Sequence, residues 1–445
     1  MRILHVSALP VWQMGGKGGM PSLLETLRGH LCAGHKVILI YPRYHLHTGE
    51  LVPELDLSEV CHQAYTAKVC WLPGLLRVRA LACRLGHKGE PPYALRWIMN
   101  FTAWLLMTLS LCATATRVRY QHRQRFDMVY AHNQYASLAG WLIGKLHRVP
   151  NVMRLYGTFL ADLMKRPLVW LRYPVSAAGY LVPHQLLICT NDGTRGDEVA
   201  RKLHMDPARF RFWQNGVNMP KGLPAETRDW VAPLAPSHLR PASQWIFTCS
   251  RLSYWKRLDR ALRALKVCRD AGVDCQFLVA GDGPEQGRLM ALSKELGLER
   301  DVVWLGAVAH KDIWRLMNVS DAFIITNDVT NRCNPLFEAI SIGLPVVSVR
   351  DPSTSDLVED GKNALLADRD DHAQLGQCLR KVCTSPDLAR AMRQAQGQKA
   401  AGFWTWEQRL AAEVHELEQL AQRWHGPAKA AAVVRTEAAG SRSVV

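Results

Sequence analysis

The chain has 445 residues, too many for one ordinary core and enough for two domains of about 200 residues each. Its 48% hydrophobic and 21% charged content excludes a disordered chain, and its 12 cysteines are scattered without a CxxC pair, which argues against a zinc site or a disulfide framework and for a reducing compartment. A net charge of +16 favours an anionic partner (nucleic acid, acidic lipid or a phosphate-bearing substrate) and does not choose among them.

In chain order, the opening "MRILHVSALP" has too short an apolar run, and no small-residue cleavage site, for a signal peptide. Strand-length apolar runs then recur, separated by helical patterns. The first half offers "RILHVS", "KVILIYP", "FDMVYAH", "NVMRLYG", "QLLICTN" and "RFWQNGV"; the second offers "WIFTCSRL", "CQFLVAGDG", "DVVWLGAV", "AFIITND" and "LPVVSV". Near-continuous apolar strands imply parallel sheets covered on both faces by crossover helices. The fold class is therefore α/β, with two doubly wound Rossmann-like domains. The boundaries read as a first domain over 1–220, a Pro- and Gly-rich linker over 221–243 and a second domain over 244–400. A charged amphipathic helix over 401–425 follows, expected to pack back toward the first domain, and 426–445 reads as a disordered tail.

Residues 97–116 carry no charge over twenty positions, long enough to span a bilayer. Six of the twenty are Asn, Thr or Ser, and a single span would separate Gly18 from Glu338. The expectation is a buried helix, with a helix dipping into a membrane face as the alternative. The run "RVRYQHRQR" that follows has four arginines in nine residues and reads as a solvated face or as contact with anionic headgroups.

Three loops carry chemistry-bearing residues. In "QMGGKGGMPSLLETL" the glycines let backbone N–H groups approach a ligand ahead of a helix N-terminus that favours anions, although a plain flexible turn has the same composition. The spacing matches neither GxGxxG nor a Walker A loop, which weighs against a dehydrogenase and an NTPase. In "CSRLSYWKRLDRAL", Arg251 and Lys256 follow the first strand of the second half, where a planar fork and a point charge could clamp a diphosphate. In "VAGDGPEQGRL" the turn around Gly281 is a strand–helix connector that also leaves room for a base or a ribose.

Taken together and in order, "GGMPSLLETL…GHKV", "NGVN", "SRLSYWKRLD", "VAGDGPEQGRL", "VVWLGAV" and "NPLFEAISIGLPVVS" resemble the GT-B-fold, nucleotide-sugar-dependent glycosyltransferases of the glycogen-synthase-like superfamily (family four). The resemblance spans roughly residues 1–420 and is strongest over 245–370. It implies that Arg251 and Lys256 bind the donor diphosphate, that Gly18 and Gly19 face it across the cleft, and that Glu338 accepts the ribose hydroxyls. The main chain at Gly306, Ala307 and Val308 would hold the base, with Pro335 and Leu336 also on the donor side. The first acid of the family's Glu-x7-Glu pair is Thr330 here, so Asp328, Asn331 and Asn334 are the candidates to take its place. Tyr156 stands where relatives often have a histidine. With Gly157 and the strand-ending His132 and Asn133, it is assigned to the acceptor side. Asn331 and Asn334 are expected to bring neutral amides to a pocket wall, and Glu338 to sit at a helix N-terminus whose dipole keeps it ionised.

The expected activity is transfer of a hexose from a UDP- or GDP-sugar to a hydroxyl of a saccharide or lipid-linked saccharide, in cell-surface polysaccharide or glycolipid biosynthesis. Retention of configuration is implied by the resemblance. Arg251 and Lys256 would meet the charge of the departing diphosphate, with Asp328 and Asn334 at the reacting sugar. No tightly bound cofactor and no metal are expected, the nucleotide-sugar being a substrate. The expected location is cytoplasmic, peripheral on the inner face of the plasma membrane, with an anionic membrane surface as a candidate partner and nucleic acid disfavoured. Competing readings are an epimerase or phosphorylase on the same fold, a basic nucleic-acid-binding protein, and a degenerate scaffold without activity.

Overall fold

The computed structural model describes residues 1–8, 21–42, 56–84, 92–218, 228–234 and 239–426. Gly18 and Gly19, the chain beyond Gly426 and parts of the interdomain stretch lie outside the described residues.

In the first domain the order is β1 (Arg2–Ser7), α1 (Pro21–Cys32), β2 (Lys36–Pro42), β3 (Gln63–Ala67), α2 (Leu72–Arg84), α3 (Tyr93–Tyr120), β4 (Met128–His132), α4 (Ser137–His147) and β5 (Asn151–Leu155). It continues with α5 (Leu160–Leu163), α6 (Val169–Arg172), α7 (Pro174–Leu181), β6 (Leu186–Thr190), α8 (Gly196–Lys202) and β7 (Phe210–Trp213). The second domain has β8 (Gln244–Cys249), α9 (Leu258–Asp270), β9 (Cys275–Ala280), α10 (Gln286–Glu295), β10 (Val302–Gly306), α11 (His310–Val319) and β11 (Ala322–Ile325). It closes with α12 (Asn334–Ser341), β12 (Val346–Val349), β13 (Ala364–Ala367), α13 (His372–Thr384) and α14 (Pro386–Ala400), followed by α15 (Trp406–His425).

Among the described residues the strands form two sheets, ordered β3-β2-β1-β4-β5-β6-β7 and β10-β9-β8-β11-β12-β13. Every pairing is parallel. The apolar runs follow from this: alternate residues of one strand serve two cores. Leu4 and Val6 enter the core beneath α3 and α4, while Ile3 enters the core beneath α15. In the second sheet Ile246 faces one core, and Trp245 and Phe247 the other. Each sheet reverses its strand order beside its first strand, between β1 and β4 and between β8 and β11. Crevices at the carboxyl ends of such reversals are where ligands of doubly wound sheets bind.

The C-terminal helix packs back on the first domain. Leu417, Leu420 and Ala421 of α15 cover Ile3, Met128, Val152 and Ile188. Its start is fixed by a capping box, Thr405 accepting from the Gln408 N–H and Gln408 from the Thr405 N–H. The chain leaves and re-enters the first domain at one place: Val217 N donates to Trp404 O at 2.9 Å. A Cβ on Gly216 would lie 2.3 Å from Trp406 Cα, so only glycine lets the two crossings touch.

Two segments differ from the sequence expectation. The described part of 221–243 is no free linker: residues 228–234 form a 3-10 turn whose Val231 is buried in the second core, and Arg228 pairs with Asp321 at 2.6 Å. The helix α3 is neither wholly buried nor free. Met107, Leu111, Ala115 and Val118 pack into the first core, while Ile98, Leu105 and Leu109 form an exposed stripe on its other side.

Beneath α15 lies a buried polar cluster. His5, His30, Tyr130, Arg154, Arg409 and Glu413 are all inaccessible to water. Glu413 accepts from Tyr130 at 2.5 Å and pairs with Arg409 at 2.8 Å. Burial opposes its ionisation, but Arg409, His30 and Arg154 outweigh burial and hold its carboxyl well below the usual range. Burial also keeps several imidazoles neutral. His5 is held well below its ordinary value by burial, then by His30 and His132. His35 falls to about 3 through burial and the N-terminal amine. His132 and His184 fall to about 3, each mainly through burial. On unfolding these rings become able to take a proton below about pH 6.5, so the unfolded state binds more protons and stability falls with falling pH. Unfolding free energy should drop by about 1–2 kcal/mol per histidine between about pH 7 and about pH 5. Urea titrations across that window measure it, and a flat profile contradicts it.

Candidate active site

The crevice at the carboxyl ends of β8 and β11 gathers the donor-side residues. The chain leaves β8 through Ser250 and Arg251 and makes a 3-10 turn at Tyr254–Lys256 before α9. The turn after β9 presses on it: a Cβ at Gly281, whose φ is +134, would lie 1.9 Å from Ser250 O. The glycine is therefore required by that close approach of backbone to backbone.

Lys256 lines a small cavity with Ser250, Thr326, Asn327 and Cys333, its Nζ 4.4 Å from the Trp255 ring. Arg251 is exposed. Neither cation has a carboxylate partner among the described residues. That sets them apart from Arg257 and Arg260 close by, both held by Asp328. Lys256 and Glu338 both act electrostatically on the Cys249 and Cys333 thiols, which places cation and carboxylate around the same crevice.

Glu338 is only 7% exposed and receives a hydrogen bond from His310 Nε2 at 2.8 Å. It lies beyond the first turn of α12, so the expected helix-dipole support gives way to a side-chain partner. That bond is also the leading cause raising the His310 pKa, with burial opposing it. The sequence reading passed over His310. The available signal was its place, two residues past Val308 at the head of α11. Gly306 has a φ of +63 and open space where a Cβ would point, with Ala307 and Val308 half-buried beside it.

Three expectations require correction. Asp328 is not offered to a sugar: it is gripped by Arg260 at 2.6 Å and Arg257 at 3.2 Å. Asn331 is completely buried, its Oδ1 accepting from the Asn327 N–H at 2.9 Å, so it braces the loop instead of forming a pocket wall. Leu336 is buried in the second core beside the helix-opening Pro335.

The position of the missing first acid closes the gap between domains. Thr330 Oγ1 donates to Asp192 O at 3.0 Å, and Arg332 Nε donates to Asn191 O at 3.3 Å. Nearby, Asn334 Oδ1 accepts from Asn215 Nδ2 at 3.1 Å. Of the donor-side asparagines, Asn334 is thus the one at the domain boundary.

On the first domain, His132 ends β4 and bonds Tyr156 Oη through Nδ1 at 2.7 Å. Asn133 has a φ of +67 and a buried Oδ1 without a partner among the described residues. Gly157 has a φ of +126, and a Cβ there would lie 2.1 Å from Asp192 Oδ2. The turns after β4, β5 and β6 are thereby drawn together, facing Thr330 and Asn334 of the other domain.

Replacing Asp328 by Asn should cost about 1–3 kcal/mol of stability, because it leaves the buried Arg260 with Asp370 alone. Lys256→Ala should leave stability within about 0.5 kcal/mol while removing stabilisation by a bound nucleotide. Thermal melts with and without UDP or GDP separate the two; loss of nucleotide response only in the Asp328 variant would reverse the assignment.

Residues 236–399 match the family described as glycosyl transferases group 1. The chain is 25% identical over 299 residues to the 2-deoxystreptamine N-acetyl-D-glucosaminyltransferase of Streptomyces fradiae, covering 65% of this chain and 69% of that protein. It is 24% identical over 418 residues to the GDP-mannose-dependent alpha-(1-6)-phosphatidylinositol dimannoside mannosyltransferase of Mycobacterium tuberculosis, covering 91% and 93%. In fold it matches Anabaena HepE, solved with UDP-glucose, at a TM-score of 0.66 and 17% identity over 93% and 99% of the two chains. The second domain is thus similar to the glycosyl transferases group 1, and the chain as a whole shares the two-sheet GT-B fold of HepE.

Proposed function

We propose that the chain transfers a sugar from a UDP- or GDP-sugar to a hydroxyl of a lipid-linked saccharide, with retention of configuration, at the cytoplasmic face of a membrane. The observation that carries the donor half is the pair of uncommitted cations, Arg251 and Lys256, at the strand-order reversal of the second domain. A departing diphosphate needs fixed positive charge, and cations without carboxylate partners supply it without first breaking ion pairs. Glu338, already bonded to His310, is the group for the ribose hydroxyls. The contacts of Thr330, Arg332 and Asn334 with the first domain hold the crevice narrow, which keeps water from competing with the acceptor. The reading calls for no bound metal or cofactor. HepE, with UDP-glucose in its structure, and the mycobacterial relative, named for GDP-mannose, support a nucleotide-sugar donor.

The acceptor half rests on the first domain. Between α2, α3 and the segment from α6 to α7 is an apolar cavity of about 230 Å³, lined by Leu76, Trp97, Phe101 and Met107 with Arg79 and Arg172. It reaches Ala8, at the carboxyl end of β1. Around it Val78, Leu81, Ile98, Leu109 and Leu171 are more than half exposed. Residues 60–126 contain ten Lys or Arg and one acid, Glu90. An apolar stripe in a strongly basic surround suits the headgroup region of an anionic leaflet, and the cavity suits an apolar anchor. The mycobacterial relative's name specifies a phosphatidylinositol acceptor, which agrees with this reading.

Incubation with labelled UDP- and GDP-sugars plus a membrane lipid extract should move label into a lipid fraction. Arg251→Ala should lower that rate about 100-fold or more. Release of sugar or nucleotide without an acceptor would favour an epimerase or phosphorylase. Nucleotide-independent, steeply salt-dependent nucleic-acid binding, or no nucleotide response at all, would favour the non-enzymatic readings. Sedimentation with phosphatidylglycerol vesicles, reduced by high salt and by Leu105→Ser with Leu109→Ser, tests the membrane half; a protein that stays in the supernatant at low salt contradicts it.

A further inference from the structure

The turn after β6 is seated between the two domains and offers one open carboxylate oxygen. Asp192 Oδ1 accepts from Thr194 Oγ1 at 2.6 Å and from the Thr194 N–H at 3.1 Å. Thr194 is held in turn by the Thr158 N–H, which donates to its Oγ1 at 2.8 Å. These bonds fix the rotation of the carboxyl and leave Oδ2 over Gly157, where a Cβ would come within 2.1 Å of it. Asp192 is only half-buried. Its Oδ2 has no hydrogen-bond partner among the described residues and is not one of the buried atoms left without a partner, so this oxygen meets solvent. Burial pushes the Asp192 pKa above the usual carboxylate value, with the Thr194 bonds and Arg332 opposing. Arg332 is itself committed to Asp356.

The second domain holds this turn in place. Gly193 has a φ of +82, and a Cβ there would lie 2.3 Å from Thr330 Oγ1 and 2.7 Å from Ser353 Oγ, so the turn rests directly on the other domain. The hydroxyl at the place of the missing acid, Thr330 Oγ1, is spent on the Asp192 carbonyl. The carboxyl of Asp192 acts electrostatically on the Cys333 thiol, as Lys256 and Glu338 do, and Cys333 lines the Lys256 cavity. Asp192 therefore borders the crevice of the uncommitted cations from the opposite domain. A sugar whose diphosphate is held by Arg251 and Lys256, and which passes to an acceptor on the first domain, lies between the domains. On the wall of the second domain Asp328 is taken up by two arginines, whereas Asp192 keeps an oxygen open.

We propose that Asp192 recognises the sugar being transferred: its Oδ2 accepts a hydrogen bond from a hydroxyl of the donor's sugar ring, so that the first domain supplies the acid facing that ring. A carboxylate oxygen only accepts and a sugar hydroxyl can donate, and a bond of this kind to a charged group is stronger than one between neutral groups. Asp192 takes no proton in this role; it selects and orients. Because Thr330 fixes the Asp192 main chain from the second domain, the contact exists only while the two domains touch. Sugar recognition is thereby tied to closure, while the diphosphate cations stand on the second domain alone. This rests on the reading that the chain is a transferase whose donor diphosphate lies at Arg251 and Lys256.

Asp192→Asn in the full chain tests the role. The amide oxygen can keep both bonds from Thr194, while an NH2, which cannot accept, replaces Oδ2. In the lipid-extract assay kcat/KM for the nucleotide sugar that labels lipid should fall about 10- to 100-fold. The melting shift with UDP or GDP alone should match that of the unmodified chain. An unchanged kcat/KM overturns the proposal, and so does an equal loss of the UDP or GDP shift, because the residue would then only brace its loop. Deoxy analogues of the same donor, each lacking one sugar hydroxyl, give an arm that needs no variant. With the unmodified chain one analogue should lose about the same factor, and with the Asp192→Asn chain that analogue should lose little more than its parent. Full activity with every analogue overturns the proposal as well. Absence of a melting shift with either nucleotide in the unmodified chain would instead sink the transferase reading, and it shows before any sugar is added.

Discussion

The carboxylate of Glu413 is the constraint on which the first domain depends. It is a buried anion on the C-terminal helix, held between Arg409 and Arg154 and touched by Tyr130 and His30. A buried charge is costly unless its partners are in place, and removing one partner of such a set leaves another charge stranded. The cluster therefore ties α15, β4, β5 and α1 into one arrangement. The apolar contacts of Leu417 and Leu420 add area without direction, whereas the ionic contacts fix the helix's rotation and register. Because Arg154 also reaches Asn215, and Asn215 reaches Asn334, the same anchor sets the geometry at the boundary with the second domain.

The two domains use positive charge in contrasting ways. In the second, most arginines near the crevice are committed: Arg257 and Arg260 to Asp328, Arg332 to Asp356, Arg228 to Asp321. These pairs shape loops and cancel one another at a distance. Arg251 and Lys256 stand apart, with no carboxylate partner among the described residues. In the first domain the excess of Lys and Arg is spread over a surface that also exposes leucines.

Both sheets were legible in the sequence because parallel strands covered on two faces must be apolar at nearly every position. The strands that escaped notice break that rule for physical reasons. β3 is an edge strand with alternating exposure, "QAYTA", and gives no apolar run. β13 is four residues long at the opposite edge of the other sheet. At the candidate site, motif order is what singled out Arg251, Lys256 and Glu338 in the sequence. The misassignment of Asp328 did not come from its own neighbours in sequence but from Arg257 and Arg260, which lie about seventy positions earlier. Likewise the His310–Glu338 bond joins residues 28 positions apart, and the contacts among His5, His30, His132, Tyr156 and Glu413 join two strands, two helices and the turn after β5. Local pattern shows which residues could do chemistry; which of them remain unoccupied is decided by partners far along the chain.

The position of α15 has a consequence for biosynthesis. The helix completes the amino-terminal half yet is the last described element to be translated, after the whole second half. While the ribosome is still at work, the sheet face formed by Ile3, Met128, Val152 and Ile188 has no cover, and the arginine at 154 has no anion beside it. The amino-terminal half thus cannot mature as an independent unit ahead of the carboxyl-terminal half, against the usual vectorial order. Nascent chains arrested before Trp406 would present a sticky apolar surface to chaperones, and it is emergence of the final helix that ends this exposure.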